Sequence, residues 1–196
     1  MKIENISNKF EELCNKIKDK HFLEMKALGG EIPFYITSYN PKQHVEVEKN
    51  IKLLKKNLQS SGIEVLEINM YKLCLDILIE QDLLNSVLEM EKSMPKENLL
   101  DSLQGILDIE NTLVPVIYKM LDESNCKVVF ITSIGNVYPY IRAHNILNNI
   151  QSIIKKVPMV LFFPGEYDSL SLKLFGLLKD NNYYRAFNLD ALKFEK

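Results

Sequence analysis

The hydrophobic positions of this chain change period several times, and each change marks an element. Ile3, Ile6, Phe10, Leu13 and Ile17 recur at three- and four-residue steps, the spacing of one helix face. A second helical piece, "HFLEMKAL", stops at Gly29 and Gly30. Four short, almost wholly apolar runs then read as buried strands: "IPFYIT" (32–37), "IEVLEI" (63–68), "KVVFIT" (127–132) and "PMVLFF" (158–163). "YYRAFNL" (183–189) reads as a fifth, at an edge or late in the sheet. The stretches between them keep helical spacing. Asn40 followed by Pro41 predicts a capped helix start, with Val47, Ile51, Leu54 and Leu58 as its buried stripe and Ser60-Ser61-Gly62 as its end. Asn69 is placed to cap the next segment. Residues 70–124 read as two to four helices with no strand, Pro95 opening one, and Leu113, Ile117 and Leu121 lining the last. Pro139 is expected to begin a helix with Ile141, Leu147, Ile150 and Ile154 on its core side.

Strands that are apolar on both faces and alternate with helices imply a mostly parallel sheet covered on both sides. The expected fold is therefore α/β: a three-layer αβα arrangement with about five strands, of the kind seen in a degenerate P-loop NTPase. An N-terminal helical segment (1–30) and a helical insert between strands 2 and 3 (70–124) complete a single domain over residues 1–196. The four long runs should be mutually parallel, because parallel crossovers need about a dozen residues and the helices supply them.

Composition narrows the function. Hydrophobic residues make up 46% and charged residues 26%, with a net charge of −2 and a pI near 6.0. A domain built to grip phosphate backbones usually carries a basic excess, so direct DNA binding is disfavoured. The three cysteines, Cys14, Cys74 and Cys126, are far apart and form no CxxC, which fits free thiols in a cytoplasmic protein. The N-terminus is polar, and no apolar run is long enough to span a bilayer.

The motifs of common chemistries are missing. "TSYNPKQH" (37–44), where a phosphate cradle would sit, has no glycine, and Pro41 removes an N–H. The third strand ends in Thr132 and Ser133 where a magnesium-binding NTPase needs a carboxylate. His21, His44 and His144 share no ligand spacing. Ser133 would need a histidine beside it to act as a nucleophile, and His144 is the nearest in sequence. The reading assigns no catalytic residue, no metal and no cofactor.

Two segments carry more. "SIGNVYPYIRAHN" (133–145) holds Tyr138, Tyr140 and Arg142, with Gly135 free to adopt a left-handed backbone. Arg142, in the expected first helical turn, opposes the helix dipole and needs an anion, Glu166 or Asp168 being the candidates. In "VLFFPGEYDSLSLKLFG" (160–176), Pro164 and Gly165 should end the strand, leaving Glu166, Tyr167 and Asp168 in a turn, where the two carboxylates are open to acid–base or ligand work and Asp168 equally to capping the leucine-rich run after it. Tyr138, Arg142, Glu166, Tyr167 and Asp168 are the candidate partner- or ligand-binding residues.

The run "FFPGEYDSLSLKLFGLLKDNNYYRAFNL" (162–189) resembles the C-terminal signature of the BrxB family of bacteriophage exclusion (BREX) systems. "TSIGNVYPYIRAHNILNNI" (132–150) and "FYITSYNP" support the likeness. The resemblance implies a component of a phage-defence operon. Its companions would be other BREX proteins: foremost an alkaline-phosphatase-like PglZ protein, then a large P-loop ATPase and an adenine-specific DNA methyltransferase. The family supplies no catalytic set. The expected function is a non-enzymatic assembly or adaptor subunit. The alternatives are a degenerate nucleotide-binding regulator that binds a phosphate ligand without hydrolysing it, and a metal-dependent hydrolase or nuclease using Glu166 and Asp168.

Overall fold

Side chains that alternate across the central strands divide the interior into two cores, one on each face of a parallel sheet. In the computed structural model, which describes residues 1–25, 33–151, 153–180 and 186–193, the strands are β1 (Phe34–Tyr39), β2 (Val65–Asn69), β3 (Val128–Thr132) and β4 (Met159–Tyr167). A two-residue strand, Phe187–Asn188, lies at the edge. The order is β2-β3-β4-β1 followed by that edge strand, and every neighbouring pair along this path is parallel. The expected α/β class, with a mostly parallel sheet flanked by helices, and the parallel pairing of the four long runs hold, with each run displaced by one to several residues; the likeness to a P-loop NTPase is not among the features shown. The end of the second helical piece at Gly29 and Gly30, the start of the first run (residue 32) and Tyr183–Arg185 of the last lie outside the described residues.

One face is covered by α1 (Ile6–Lys18) and α3 (His44–Gln59). Ile6, Phe10, Leu13 and Ile17 of α1 and Val47, Ile51, Leu54 and Leu58 of α3 meet Tyr35, Phe130, Val160 and Phe162 of the sheet. A short helix, α2 (Lys20–Leu23), adds Phe22, whose ring lies 4.6 Å from that of Tyr35. The opposite face carries α4 (Met70–Glu80), α5 (Leu84–Ser93), α6 (Lys96–Ile106), α7 (Val114–Asp122) and α8 (Ala143–Ile150). There Phe34, Ile36, Ile68, Val129, Ile131, Leu161 and Phe163 pack against Leu73, Ile77, Ile117, Ile146 and Leu147.

Local chemistry sets several boundaries as expected. The Asn40 side chain accepts the Lys42 N–H at 3.0 Å, and Pro41 opens a 3-10 turn that leads into α3. Asn69 accepts the Lys72 N–H at 3.0 Å and starts α4. Gly62, at φ 75°, takes the chain out of α3.

Three local expectations change. Pro139 does not open a helix: a 3-10 turn, Ile134–Val137, and a cis Tyr138–Pro139 bond precede α8, which begins at Ala143. The left-handed residue after β3 is Ser133, at φ 58°, and not Gly135. Pro164 and Gly165 do not end β4. The strand runs on to Tyr167 and exchanges partners, pairing with β1 up to Pro164 and then antiparallel with β5 (Leu172–Leu174) from Gly165. β5 folds back on β6 (Leu178–Asp180), so the leucine-rich run after Asp168 is a hairpin; the Phe187–Asn188 strand is therefore β7.

Two glycines explain why the hairpin can dock. A Cβ on Gly165 would collide with the Lys173 carbonyl oxygen, and one on Gly135 would lie 2.7 Å from Pro164 Cγ and 3.1 Å from the Phe175 ring. Neither position admits a side chain without moving the hairpin. The Pro164 carbonyl is used as well, accepting the Phe175 N–H at 2.9 Å.

Candidate functional site

The carboxyl ends of parallel strands are where such sheets usually place ligands. Here that end is largely occupied by the protein itself. After β1, the first amides of the 3-10 turn are committed: Lys42 N–H to the Asn40 side chain, and Gln43 N–H to the Asn40 carbonyl at 2.8 Å. The Gln43 amide holds Glu4 through Nε2–H to its carbonyl at 2.8 Å and through Oε1 from its N–H at 3.0 Å. Backbone N–H groups that would cradle a phosphate are thus spent on the fold.

Beyond this turn lies a crevice of about 110 Å³ between α3 and the ends of β1, β2 and β3. Tyr39 Oη meets His44 Nδ1 at 2.9 Å, and His44 Nε2 lies 3.4 Å from Glu48 Oε1. Burial, and then the Glu48 charge, pushes the Tyr39 phenol well above its ordinary value. On β2, Glu67 accepts Lys55 Nζ at 2.6 Å and the Thr132 hydroxyl at 3.0 Å. The carboxylate absent from the end of β3 is therefore present on β2, neutralised by a lysine from α3. Sequence reasoning misses Glu67, although its signal is visible as a charged residue inside an apolar strand. Ser133 and His44 line this same crevice, whereas His144 lines a different one.

The second cavity, about 360 Å³, lies between the start of α8 and the β5–β6 hairpin. Phe163, Leu172, Leu174 and Leu178 form apolar wall, and Tyr138, Arg142, His144 and Lys179 supply the polar groups. Apolar walls with a few convergent polar groups are the usual make-up of a recognition pocket. Leu177, between β5 and β6, lines this cavity and is 79% exposed.

Arg142 occupies the N-cap position of α8 and lies outside its first turn, with extended backbone. The expected ion pair with Glu166 or Asp168 does not form. Among the described residues Arg142, itself exposed, has no ion-pair partner. Glu166 instead lies 3.8 Å from Lys173 Nζ, its partner in the β4–β5 register, and 3.9 Å from the Met1 amino group. Asp168 closes its own turn: Oδ1 accepts the N–H groups of Ser171 at 2.6 Å and Leu170 at 2.9 Å, and Oδ2 accepts the Ser171 hydroxyl at 3.1 Å. The Ser171 N–H, then that of Leu170, hold this carboxyl below its ordinary value.

Tyr167 is buried and donates its hydroxyl to the Ala186 carbonyl at 2.6 Å. Of the five candidates, then, the fold brings Tyr138 and Arg142 to one groove. Glu166 and Asp168 line a separate cavity of about 240 Å³ with Lys173 and Lys179, and Tyr167 is a strut. Among the described residues no three His, Cys, Asp or Glu side chains come together as metal ligands. The Lys173 ammonium lies 3.8 Å from Glu166, and Lys173 and Lys179 line the cavity with both carboxylates.

The chain is 38% identical to the BREX protein BrxB of Bacillus cereus (strain H3081.97), over 94% of this chain and 97% of that one. It is 28% identical to the BREX protein BrxB of Escherichia coli O9:H4 (strain HS), over 91% of this chain and 88% of the other. No solved structure matches. No described helix is long and apolar enough to cross a membrane. The family model described as BREX protein BrxB covers residues 66–189, which span the α4–α8 layer, β3, β4 and the hairpin, and on these matches the chain belongs to the BrxB family of BREX phage-defence proteins.

Proposed function

We propose that this protein is a non-enzymatic assembly or adaptor subunit of its BREX system, docking another BREX protein at the groove between α8 and the β5–β6 hairpin. The observation that carries this reading is an exposed arginine, without an ion-pair partner among the described residues, in a cavity of mixed polar and leucine lining with Leu177 and Leu178 exposed at its side. A guanidinium seeks a planar carboxylate, and the leucines seek cover, so both demands are met by one partner segment. Tyr138 and Arg142 are the anchors, the residue types that concentrate binding energy at interfaces. Glu166 and Asp168 shape the outer rim of the hairpin, and Tyr167 holds it against the sheet.

The partner in first place is the PglZ-type alkaline-phosphatase-like protein, followed by the large P-loop ATPase and the adenine-specific DNA methyltransferase. The test is co-purification of each with the parent chain, with Arg142→Glu and with Leu177→Asp. Both positions are exposed, so the melting temperature should hold while one partner is lost. Retention of every partner by both variants would sink the reading.

A phosphate-binding regulator has one observation in its favour. Ser133 is 7% exposed, has a strained left-handed backbone, and opens on the strand-end crevice near Lys52. At about 110 Å³ that crevice accommodates a small oxyanion and not a nucleotide. A Ser133→Ala change that altered a phosphate-induced melting shift would support it.

A further inference from the structure

The segment from Glu80 to Ile106 is built differently from the other helices. α4 buries Met70, Leu73, Cys74, Ile77 and Leu78, whereas neither α5 nor α6 has a single buried residue. Apolar side chains are not lacking. Leu84, Val87, Leu103 and Ile106 lean on the core, while Leu88, Met90, Met94, Leu99 and Leu100 join neither core. Leu88 is 45% exposed. Two helices of this length joined by Met94 and Pro95 gain little from propensity alone, so a half-covered apolar face is a surface awaiting a third element.

Charge says what kind of element. Between Glu80 and Ile106 six carboxylates (Glu80, Asp82, Glu89, Glu91, Glu97 and Asp101) stand against two lysines (Lys92 and Lys96), in a chain whose net charge is only −2. Lys92 is used by Glu89 at 2.8 Å. Among the described residues, Glu80, Asp82, Glu91, Glu97 and Asp101 have no ion-pair partner.

We propose that the α5–α6 pair is a docking surface for a basic amphipathic helix of another protein, which packs its apolar stripe on Leu88, Leu99 and Leu100 and sets lysines or arginines against the unpaired carboxylates. Apolar residues at three- and four-residue steps on a helix are what the ridge of a third helix packs against. A second copy of this chain is the wrong occupant. A two-fold contact would place the same acidic surface against itself, and like charges across an interface cost binding energy. This surface stands on its own observations and does not depend on the Arg142 groove. Together the two make the protein a bridge, with a cationic apolar site and an anionic apolar site on separate elements.

The test uses the full chain, co-expressed in turn with the PglZ-type protein, the ATPase and the methyltransferase. Two variants are compared with the parent: Leu88→Ser with Leu99→Ser and Leu100→Ser, and Glu91→Lys with Glu97→Lys and Asp101→Lys. None of these positions is buried, so both variants should melt with the parent. The expected result is that one partner is lost from both variants by tenfold or more, that its binding to the parent weakens as salt rises, and that Arg142→Glu leaves it in place. Loss on Arg142→Glu alone assigns that partner to the groove and overturns the α5–α6 pair, the arm of the molecule, as a docking site. Unchanged binding of all partners by folded variants also overturns it. So does a change confined to the chain's own oligomeric state, seen by light scattering.

Discussion

α3 and the α5–α6 pair have the same kind of sequence, apolar residues at helical spacing among charges, and opposite fates. Val47, Ile51, Leu54 and Leu58 of α3 are buried against the sheet, whereas α5 and α6 bury nothing. What differs is the neighbour. α3 lies across a β1–β2 crossover and so has sheet beneath its whole length, with α1 alongside. α5 and α6 extend a long connection between adjacent strands, β2 and β3; α5 leans on α4, and α6 leans on α5. Periodicity announces a helix with a face to cover; topology decides whether the protein itself covers it.

The comparison breaks most visibly in the packed half. Phe162 is 1% exposed and its ring sits 5.9 Å from Phe10 and 5.1 Å from Phe130. Truncation leaves a cavity between α1 and two strands. Phe162→Ala should cost about 3–5 kcal/mol in urea unfolding. A loss under about 1 kcal/mol would mean that this face is no better packed than the arm.

At the junction of the two regions stands Asn69, which ends β2 and caps α4. Asn69→Ala leaves the Lys72 N–H without its side-chain acceptor and should lower stability by about 1 kcal/mol. Asn69→Asp should keep most of it, since a carboxylate accepts the same bond and favours a helix N-terminus. Equal losses for the two variants would show that the cap is not what starts α4.

Much of this is legible in the sequence, and the reasons are physical. Runs such as "KVVFIT" are short, β-branched and flanked by helices, which suits buried parallel strands. Asn40 and Asn69 are readable because a cap acts within three residues. The pairing of Arg142 and the carboxylates is not, because it depends on where β4 changes sheets. That switch rests on the fit of Gly165 under the Lys173 carbonyl, which local pattern does not encode. Glu67 finds Thr132 and Lys55 only once β2 and β3 are side by side and α3 lies above them. Tyr138 and Arg142 are close in sequence and share a groove, but the leucines that complete it read from sequence only as a leucine-rich run after Asp168.

The hairpin offers a smaller test, by pH. Asp168 has its carboxyl pKa lowered by the Ser171 and Leu170 N–H groups. A carboxyl lowered by folding contributes stability that is present above its ordinary value, near 3.8, and is lost as pH falls through the lower folded value. The Ser171 amide resonance should therefore titrate with a midpoint below that of an ordinary aspartate, while the arm carboxylates change nothing at this position. A midpoint above the ordinary value would mean that the turn does not hold in solution.

The smallest effect is the one that isolates the arm. If α5 and α6 contribute surface and not core, replacing Leu88, 45% exposed, by Ser removes contacts that are half in water already, and replacing the partly buried Leu99 removes contacts that join neither core. Each change should alter stability by no more than about 0.5 kcal/mol, the range of ordinary surface substitutions. A Leu→Ser change at Leu73, 6% exposed on α4, should cost several times as much, because a hydroxyl there is buried without a partner. The pair of measurements places the boundary between the self-sufficient part of the molecule and the part left for a partner. Should Leu99→Ser destabilise as strongly as Leu73→Ser, the arm belongs to the core after all, and its apolar side chains are not available for docking.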